Sequence, residues 1–218
     1  MSLPVIVLGA GGHAKVLIDI LRLRGIKILC LIDPKLATFS NTLNGIRLID
    51  NEDEVLRYQP DEVRLVNGLG SVSDTTKRTH LFQKLKNLGY SFASLIHPSA
   101  IIASDVKLAE GVQIMAGAII QAGSNVGQNA IINTKASIDH DCVIGNHVHI
   151  APGVTLSGGV TVGDRAHIGT GATIIQNVRI GQSSIVGAGA LVLKDVPEGA
   201  KVLGVAAKVV TTNDKELG

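Results

Sequence analysis

The sequence predicts two unlike parts: an α/β unit of alternating strands and helices over residues 1–94, then an all-β parallel solenoid over residues 95–196, with a tail at 197–218. Two observations carry this. From Leu95 to Val196 the chain divides without a break into seventeen units of six, such as IIQAGS, SIDHDC, VIGNHV and TVGDRA. Ahead of them, the apolar run Val5 to Leu8 opens directly into Gly9-Ala10-Gly11-Gly12-His13-Ala14.

Take the solenoid first. The second place of every unit is aliphatic, as at Ile96, Ile114, Ile138, Ile150 and Val192, and the sixth is small or β-branched, as at Ala100, Val106, Cys142 and Ala190. A strand has a side-chain period of two and a helix a period near 3.6, so a strict period of six fits neither alone. It fits a coil of three short strands per turn, in which each second-place residue stacks on the one eighteen residues away. Each aliphatic side chain gains its burial from the turns above and below. Corners call for Gly, Asn or Asp, which tolerate positive φ, and Gly127, Gly145, Gly163 and Gly181 recur at the third place along one edge. With strands about 4.8 Å apart, just under six turns stand roughly 27 Å tall. Flat sides leave Val and Ile partly exposed, and self-association is the expected way to bury them.

The first part obeys a different grammar. Val5 to Leu8 has the continuous apolarity of a strand covered on both faces. A helix is expected next, with Val16, Leu17, Ile20 and Leu21 on one stripe and Gly25 as its stop. Ile26 to Ile32 forms the second strand and delivers Asp33 at its carboxyl end. Glu62 to Asn67 forms another, closed by Gly68-Leu69-Gly70, and Ser73 or Asp74 can cap a helix running through Leu88. Such alternation builds a small parallel, Rossmann-like sheet. Gly9, Gly11 and Ala14 fit the G-x-G-x-x-G/A fingerprint, which brings backbone amides and a helix N-terminus up to a phosphate group. Asp33, twenty-four residues after Gly9, stands where an acid can take ribose hydroxyls. About ninety residues is too little for a full dinucleotide fold with its two halves, so a mononucleotide or nucleotide-sugar fits better than NAD.

Composition excludes several classes. The chain has 218 residues, 25 glycines, no Trp, two Tyr and three Phe, which suits tight stacking better than a bulky core. A net charge of +2 with both signs mixed leaves no footprint for nucleic acid or an acidic membrane. Cys30 and Cys142 have no metal-like spacing and read as buried small hydrophobes. No apolar run reaches membrane-spanning length, and the N-terminus has glycines where a secretory core would be apolar. The expectation is a cytoplasmic protein without membrane insertion.

Chemistry then falls to histidines. His140 lies at a turn between Asp139 and Asp141, either of which can fix the imidazole tautomer and stabilise its cation, as a general base near neutral pH requires. A solvated turn histidine is the plain alternative. His149 and His167 share the first place of their units and should stack in adjacent turns as surface residues, contacts between copies or donors to an acyl group. A zinc site of His147, His149 and His167 has no carboxylate or thiolate at matching spacing, so no metal is expected.

A GAGGHAKV nucleotide unit followed by an unbroken hexapeptide coil with an I-D-H-D-C-x-I-G-x-x-x-H-I-x-P-G segment resembles the NeuD/PglD branch of the left-handed β-helix acyltransferases. The resemblance spans nearly the whole chain. It implies a left-handed parallel β-helix, where the general preference for right-handed crossovers points the other way. It further implies a homotrimer that uses acetyl-CoA to acetylate the 4-amino group of a UDP-amino-sugar of the bacillosamine type, by direct transfer. His140 would be the general base and Asp141 its orienting acid, with Asp139 a competitor, and His149 would lie beside the thioester carbonyl as an oxyanion donor. Positions Gly158, Thr170 and Ala188 match the cofactor groove and Lys208 its exit; in the tail, Ala206 stands where the family commonly has proline. Gly9, Gly11, Gly12, His13, Asp33, Lys35, Asn67 and Gly68 match nucleotide-sugar positions. An O-acetyltransferase of sialic acid or another sugar, and a non-catalytic nucleotide-sugar module, are the competing readings.

Overall fold

The structure is a computed structural model that describes residues 3–36, 40–71 and 75–205, with the backbone alone of 208–210. Its first part is a five-stranded sheet built from β1 (Val5–Leu8), β2 (Ile28–Ile32), β3 (Thr42–Leu43), β4 (Ile46–Ile49) and β5 (Arg64–Asn67). The spatial order is β3-β4-β2-β1-β5. All pairs are parallel except the β3–β4 hairpin at the edge. β1 is buried along its whole length, as its unbroken apolarity requires, because helices cover both faces of the sheet.

Helix α1 (Gly12–Leu23) buries Ala14, Leu17, Ile18, Ile20 and Leu21. Val16, expected on that stripe, is 43% exposed, and the buried face runs through Ala14 and Ile18 instead. Gly25 ends the helix with φ +64° and donates its amide to the Arg22 carbonyl. The second helix, α2 (Thr76–Asn87), follows β5 and packs Phe82 and Leu85 with Tyr90 and Phe92. Ser73 and Asp74, expected as its cap, lie outside the described residues; Thr75 precedes the helix without a side-chain capping bond.

From Leu95 onward the chain is a left-handed parallel β-helix. Each turn contributes one two-residue strand to each of three sides, which begin at Leu95–Ile96 (face 1), Ile101–Ile102 (face 2) and Lys107–Leu108 (face 3). The register repeats every eighteen residues: Ile120 pairs with Ile138, Ile138 with Leu156, and Ile150 with Ile168. Second-place aliphatics and sixth-place small residues form one continuous core from Val112 to Val202. Face 1 runs past Val196 through Lys201–Leu203, which pairs with Ile185–Val186, and through the antiparallel strand Lys208–Val210.

The corners divide the work differently from the sequence expectation. Positive φ belongs to the fifth place, taken by Gly117, Gly123, Asn129, Lys135, Asp141, His147 and Gly159 among others. The third-place glycines are needed for closeness instead: a Cβ on Gly145 would lie 2.5 Å from Asp164 Oδ1 and 2.7 Å from the Asp164 amide. The turns stack there backbone on backbone.

The α/β unit docks on face 1, where α1 and the coil share a core of Leu17, Leu21, Leu95, Met115 and Ile131. Faces 2 and 3 carry the exposed aliphatics Ile101, Val143, Ile175 and Leu193. Gly145→Ala should cost roughly 1–3 kcal/mol by overpacking a rigid corner. Gly12→Ala, at a helix position with no atom within 4 Å of a new Cβ, should leave stability unchanged or raise it. Chemical denaturation of both variants checks this; equal losses would contradict the distinction.

Candidate active site and substrate cleft

At the carboxyl end of the β1–β2 strands the α/β unit opens into a cleft of about 650 Å³. Gly9 and Asp33 lie at its floor, with Lys35 beside them. Helix α2 supplies one wall, where Lys77, His80 and Lys84 recur at helical spacing, and Leu56, Leu81 and Leu88 make an apolar portion. A cleft with a basic wall, an apolar portion and a glycine turn suits a nucleoside diphosphate. Gly11 and Gly12 are exposed at the N-terminus of α1 with open space beside them.

Asp33 does more than face a ligand. Its Oδ2 accepts from the Ala10 amide at 2.9 Å, and Oδ1 accepts from the Lys35 and Leu36 amides at 3.0 and 3.1 Å. It therefore ties the end of β2 to the glycine turn, and only its remaining lone pairs face outward.

Of the residues expected in the nucleotide site, His13 and Asn67 turn toward the coil, and Gly68 packs against β1. His13 donates through Nε2 to Gln113 Oε1 at 2.7 Å, and burial, with the charge of Arg78 in second place, pushes its pKa down to about 4. Asn67 is fully enclosed: its Nδ2 donates to the Arg78 carbonyl and Asn129 Oδ1, and its Oδ1 accepts from the Leu69 amide. Gly68 packs so tightly against β1 that a Cβ would lie 2.8 Å from the Leu8 carbonyl oxygen and 2.9 Å from that of Gly9. These residues fix the loop between β5 and α2; they do not line the cleft.

His140 occupies the corner between faces 2 and 3. Its Nδ1 lies 2.8 Å from Asp141 Oδ2, while Asp139 Oδ1 accepts from the His140 backbone amide at 2.8 Å. Asp141 thus holds the ring and Asp139 caps the backbone. The carboxylate on Nδ1 selects the tautomer with its proton there and leaves Nε2 with a free lone pair. The bond to Asp141, then the charge of Asp139, raise the pKa above the ordinary histidine value. The ring edge rests over Gly158 in the next turn, where a Cβ would sit 2.6 Å from Cε1 and Nε2. Only glycine leaves the ring this place. The Gly158 amide has no acceptor among the described residues.

His149 projects from face 1 and is buried beneath the loop after β5. Its Nδ1 contacts Ser71 Oγ at 2.7 Å and the Ser71 carbonyl at 3.1 Å, and Nε2 meets Asn133 Nδ2 at 3.1 Å. Asn133 Oδ1 accepts from the Thr134 amide, which makes its Nδ2 the donor to His149. Nδ1 therefore carries the only ring proton, directed at Ser71. Burial and neighbouring His167, His13 and Arg78 push the pKa down to about 3. Both ring nitrogens of His149, expected as a carbonyl donor, are therefore engaged here: Nδ1–H donates to Ser71 and Nε2 accepts from Asn133. His167 stacks edge-on against it at 5.0 Å, and burial lowers its pKa as well.

With eighteen residues per turn, His140 and His149 stand half a turn apart, on opposite sides of the prism. Thr170 and Ala188 are exposed on the edge between faces 1 and 2, one edge away from Gly158. The Lys208 backbone closes the far end of face 1, and Ala206 lies outside the described residues. Residues not singled out from sequence are Ser71, Arg78, Gln113, Asn129 and Asn133, which build the junction, and Lys77, His80 and Lys84 on the cleft wall. The helical spacing of the last three was a legible signal; the junction residues have partners far away in the chain. Among the described residues no group of three His, Cys, Asp or Glu could hold a metal ion, and no helix is long and apolar enough to cross a membrane.

Residues 4–85 match the PglD N-terminal domain model, and residues 123–158 match the bacterial transferase hexapeptide model of six repeats. PerB from Caulobacter crescentus, solved with CoA and GDP-perosamine, is 38% identical with a TM-score of 0.87, over 95% of this chain and 97% of that one. The acetyltransferase domain of PglB from Neisseria gonorrhoeae, solved with acetyl coenzyme A, is 32% identical with a TM-score of 0.87, over 95% and 98%. A UDP-N-acetylbacillosamine N-acetyltransferase from Bacillus subtilis is 37% identical over 114 residues, and that stretch spans 51% of this chain and 51% of that protein.

The depressed histidines make folding pH-dependent. Unfolded, His13 and His149 titrate near 6.5, so below that pH the unfolded chain binds more protons and stability falls toward their folded values of about 4 and 3. Lowering the pH from 7 to 5, where most carboxylates stay ionised, should lower Tm, and His149→Gln should flatten the slope. A Tm that is constant across that interval would refute the buried neutral state.

Proposed function

Because the chain belongs to the PglD/NeuD-like sugar acetyltransferases of the hexapeptide-repeat class, we propose that it moves the acetyl group of acetyl-CoA onto the 4-amino group of a nucleotide-linked amino sugar. The observation that supports this reading is the His140–Asp141 pair beside Gly158, whose amide has no acceptor among the described residues. His140 Nε2 accepts the proton of the attacking amine as the new N–C bond forms, while Asp141 stabilises the resulting imidazolium. The Gly158 N–H is the donor for the carbonyl oxygen as charge develops on it. The C–S bond breaks, and the thiolate leaves with a proton returned by His140. No covalent acyl-enzyme is needed, and Cys142 is buried with its pKa raised by burial. Thr170, Ala188 and Lys208 border the coil where the CoA chain would lie.

The cleft is assigned to the nucleotide, with Lys77, His80 and Lys84 facing the diphosphate. UDP is the carrier expected from the sequence and matches the Bacillus subtilis relative. GDP is the second reading, favoured by the GDP-perosamine bound in PerB. A sugar held on the α/β unit sits on the face-1 side and cannot reach the His140 corner of its own coil. A second copy must bring that corner to it. Such contacts join two different surfaces, and closing them into a ring gives the homotrimer that the exposed aliphatics of faces 2 and 3 favour.

Incubation with acetyl-CoA and paired UDP- and GDP-linked 4-amino sugars, beside hydroxyl analogues, should yield one added acetyl on an amino sugar by mass spectrometry; acetylation of hydroxyl acceptors alone would replace this reading. His140→Ala should lower kcat by about 10²–10⁴-fold. Since Asp141 and Asp139 raise the His140 pKa, the rate should climb with pH through a value above 6.5. Asp141→Asn should shift that limb to lower pH while reducing the plateau; an unmoved limb would detach His140 from the titration. Light scattering should return three copies per particle, and a fully active monomer would exclude the shared site.

A further inference from the structure

Arg78, on the first turns of α2, is 1% exposed, and among the described residues it has no carboxylate partner. Its guanidinium is spent on main-chain carbonyls from both parts of the molecule. Nη1 donates to Asn67 at 2.9 Å and Leu69 at 2.7 Å, while Nη2 and Nε donate to Asn129 at 3.2 and 3.4 Å. Asn67 and Leu69 belong to the loop after β5; Asn129 is a coil corner held at φ +54°. The contacts interlock around it. Asn67 Nδ2 returns a bond to the Arg78 carbonyl, Gln113 Nε2 donates to the Asn67 carbonyl, and Asn129 Nδ2 donates to His147 Nδ1.

As a means of stability this arrangement is poor. A buried cation without a counter-ion carries a desolvation cost that apolar packing of similar volume avoids. Burial presses even this guanidinium down to about 9, and its charge adds to the burial that already lowers the pKa values of His13, His147 and His149. What the fork does supply is geometry: planar donors that fix three carbonyls at once, which a lysine point charge cannot reproduce. The loop so held places Gly68 against Gly9, Gly70 against His13, and Ser71 on His149. Nucleotide cleft, glycine turn and coil therefore share one register, set at Arg78.

We propose that Arg78 is a positioning residue for acetyl transfer, clamping the loop 67–71 to the coil so that a sugar bound on the α/β unit presents its amine at the reacting carbonyl. The inference rests on the sugar-acetyltransferase reading above. Arg78 does not line the cleft, so nucleotide affinity and reaction geometry separate. A displacement of about 1 Å at the amine is enough to cost ~10²-fold in rate.

The test compares Arg78→Lys and Arg78→Met with the wild type. Expected are a kcat about 10–10²-fold lower with the nucleotide amino sugar, Kd values for UDP, GDP and acetyl-CoA within about threefold of wild type, and an ascending pH limb preserved because His140 is untouched. Wild-type kcat in a destabilised variant would overturn the proposal, as would joint loss of all three affinities. Should the Met variant fail to fold, the Lys variant decides. If the wild type acetylates no nucleotide amino sugar, the functional reading fails first and this inference with it; an active wild type with an unaffected Lys variant removes Arg78 alone.

Discussion

Eighteen residues per turn is the constraint on which everything else rests. The ladder of second-place aliphatics admits no slip, because a shift of one residue would turn Ile138, Ile144 and Ile150 outward together. Once that pitch is set, position in sequence is position in space. His140 falls on a corner, Gly158 falls one turn above it, and His149 falls on the opposite side. No side-chain adjustment can bring His140 to the face on which the α/β unit sits. On the function proposed above, the rigid coil then requires chemistry and substrate recognition to come from different copies, and the exposed aliphatics Ile101, Val143, Ile175 and Leu193 are the surface proposed for their meeting.

The two sides of the coil have opposite electrostatics for the same residue type. At the His140 corner the ring is exposed, and the bond to Asp141 with the charge of Asp139 favours the imidazolium, raising its pKa above the ordinary histidine value. At the junction between the α/β unit and the coil, burial dominates and Arg78 adds to it, so His13, His147 and His149 have lowered pKa values and serve as fixed hydrogen-bonding groups. Burial outweighs any gain from a single partner: His149 donates to the Ser71 carbonyl, which favours its cation, yet its pKa still falls to about 3. A histidine with a raised pKa, His140, and one with a depressed pKa, His149, coexist within nine residues because the prism separates them.

Much of this was legible in the chain because it is periodic. The period of six fixed the inward residues, the pairing partners and the outward placing of His140, and the strand-turn-helix opening identified the sheet. What the sequence concealed depends on pairs remote in the chain. Ser71 and His149 are 78 residues apart and Gln113 and His13 are 100 apart, so nothing local marks His13 as a junction residue or His149 as a buried one. The third-place glycines misled in kind: their recurrence was visible, but its cause is backbone contact between turns and not positive φ. Val16 and Ile18 exchanged roles for a similar reason, since an apolar stripe does not say which neighbour covers it.

The most direct test of a site shared between copies is complementation between two inactive proteins. One carries His140→Ala; the other carries Lys77→Glu with Lys84→Glu in the cleft, leaving its own His140 intact. Refolded or expressed together in equal amounts, random trimers should regain about a quarter of wild-type activity, because a head-to-tail ring of mixed copies contains one unaltered pairing of corner and cleft. Activity no greater than the sum of the two parents would place cleft and base in the same copy and contradict the account.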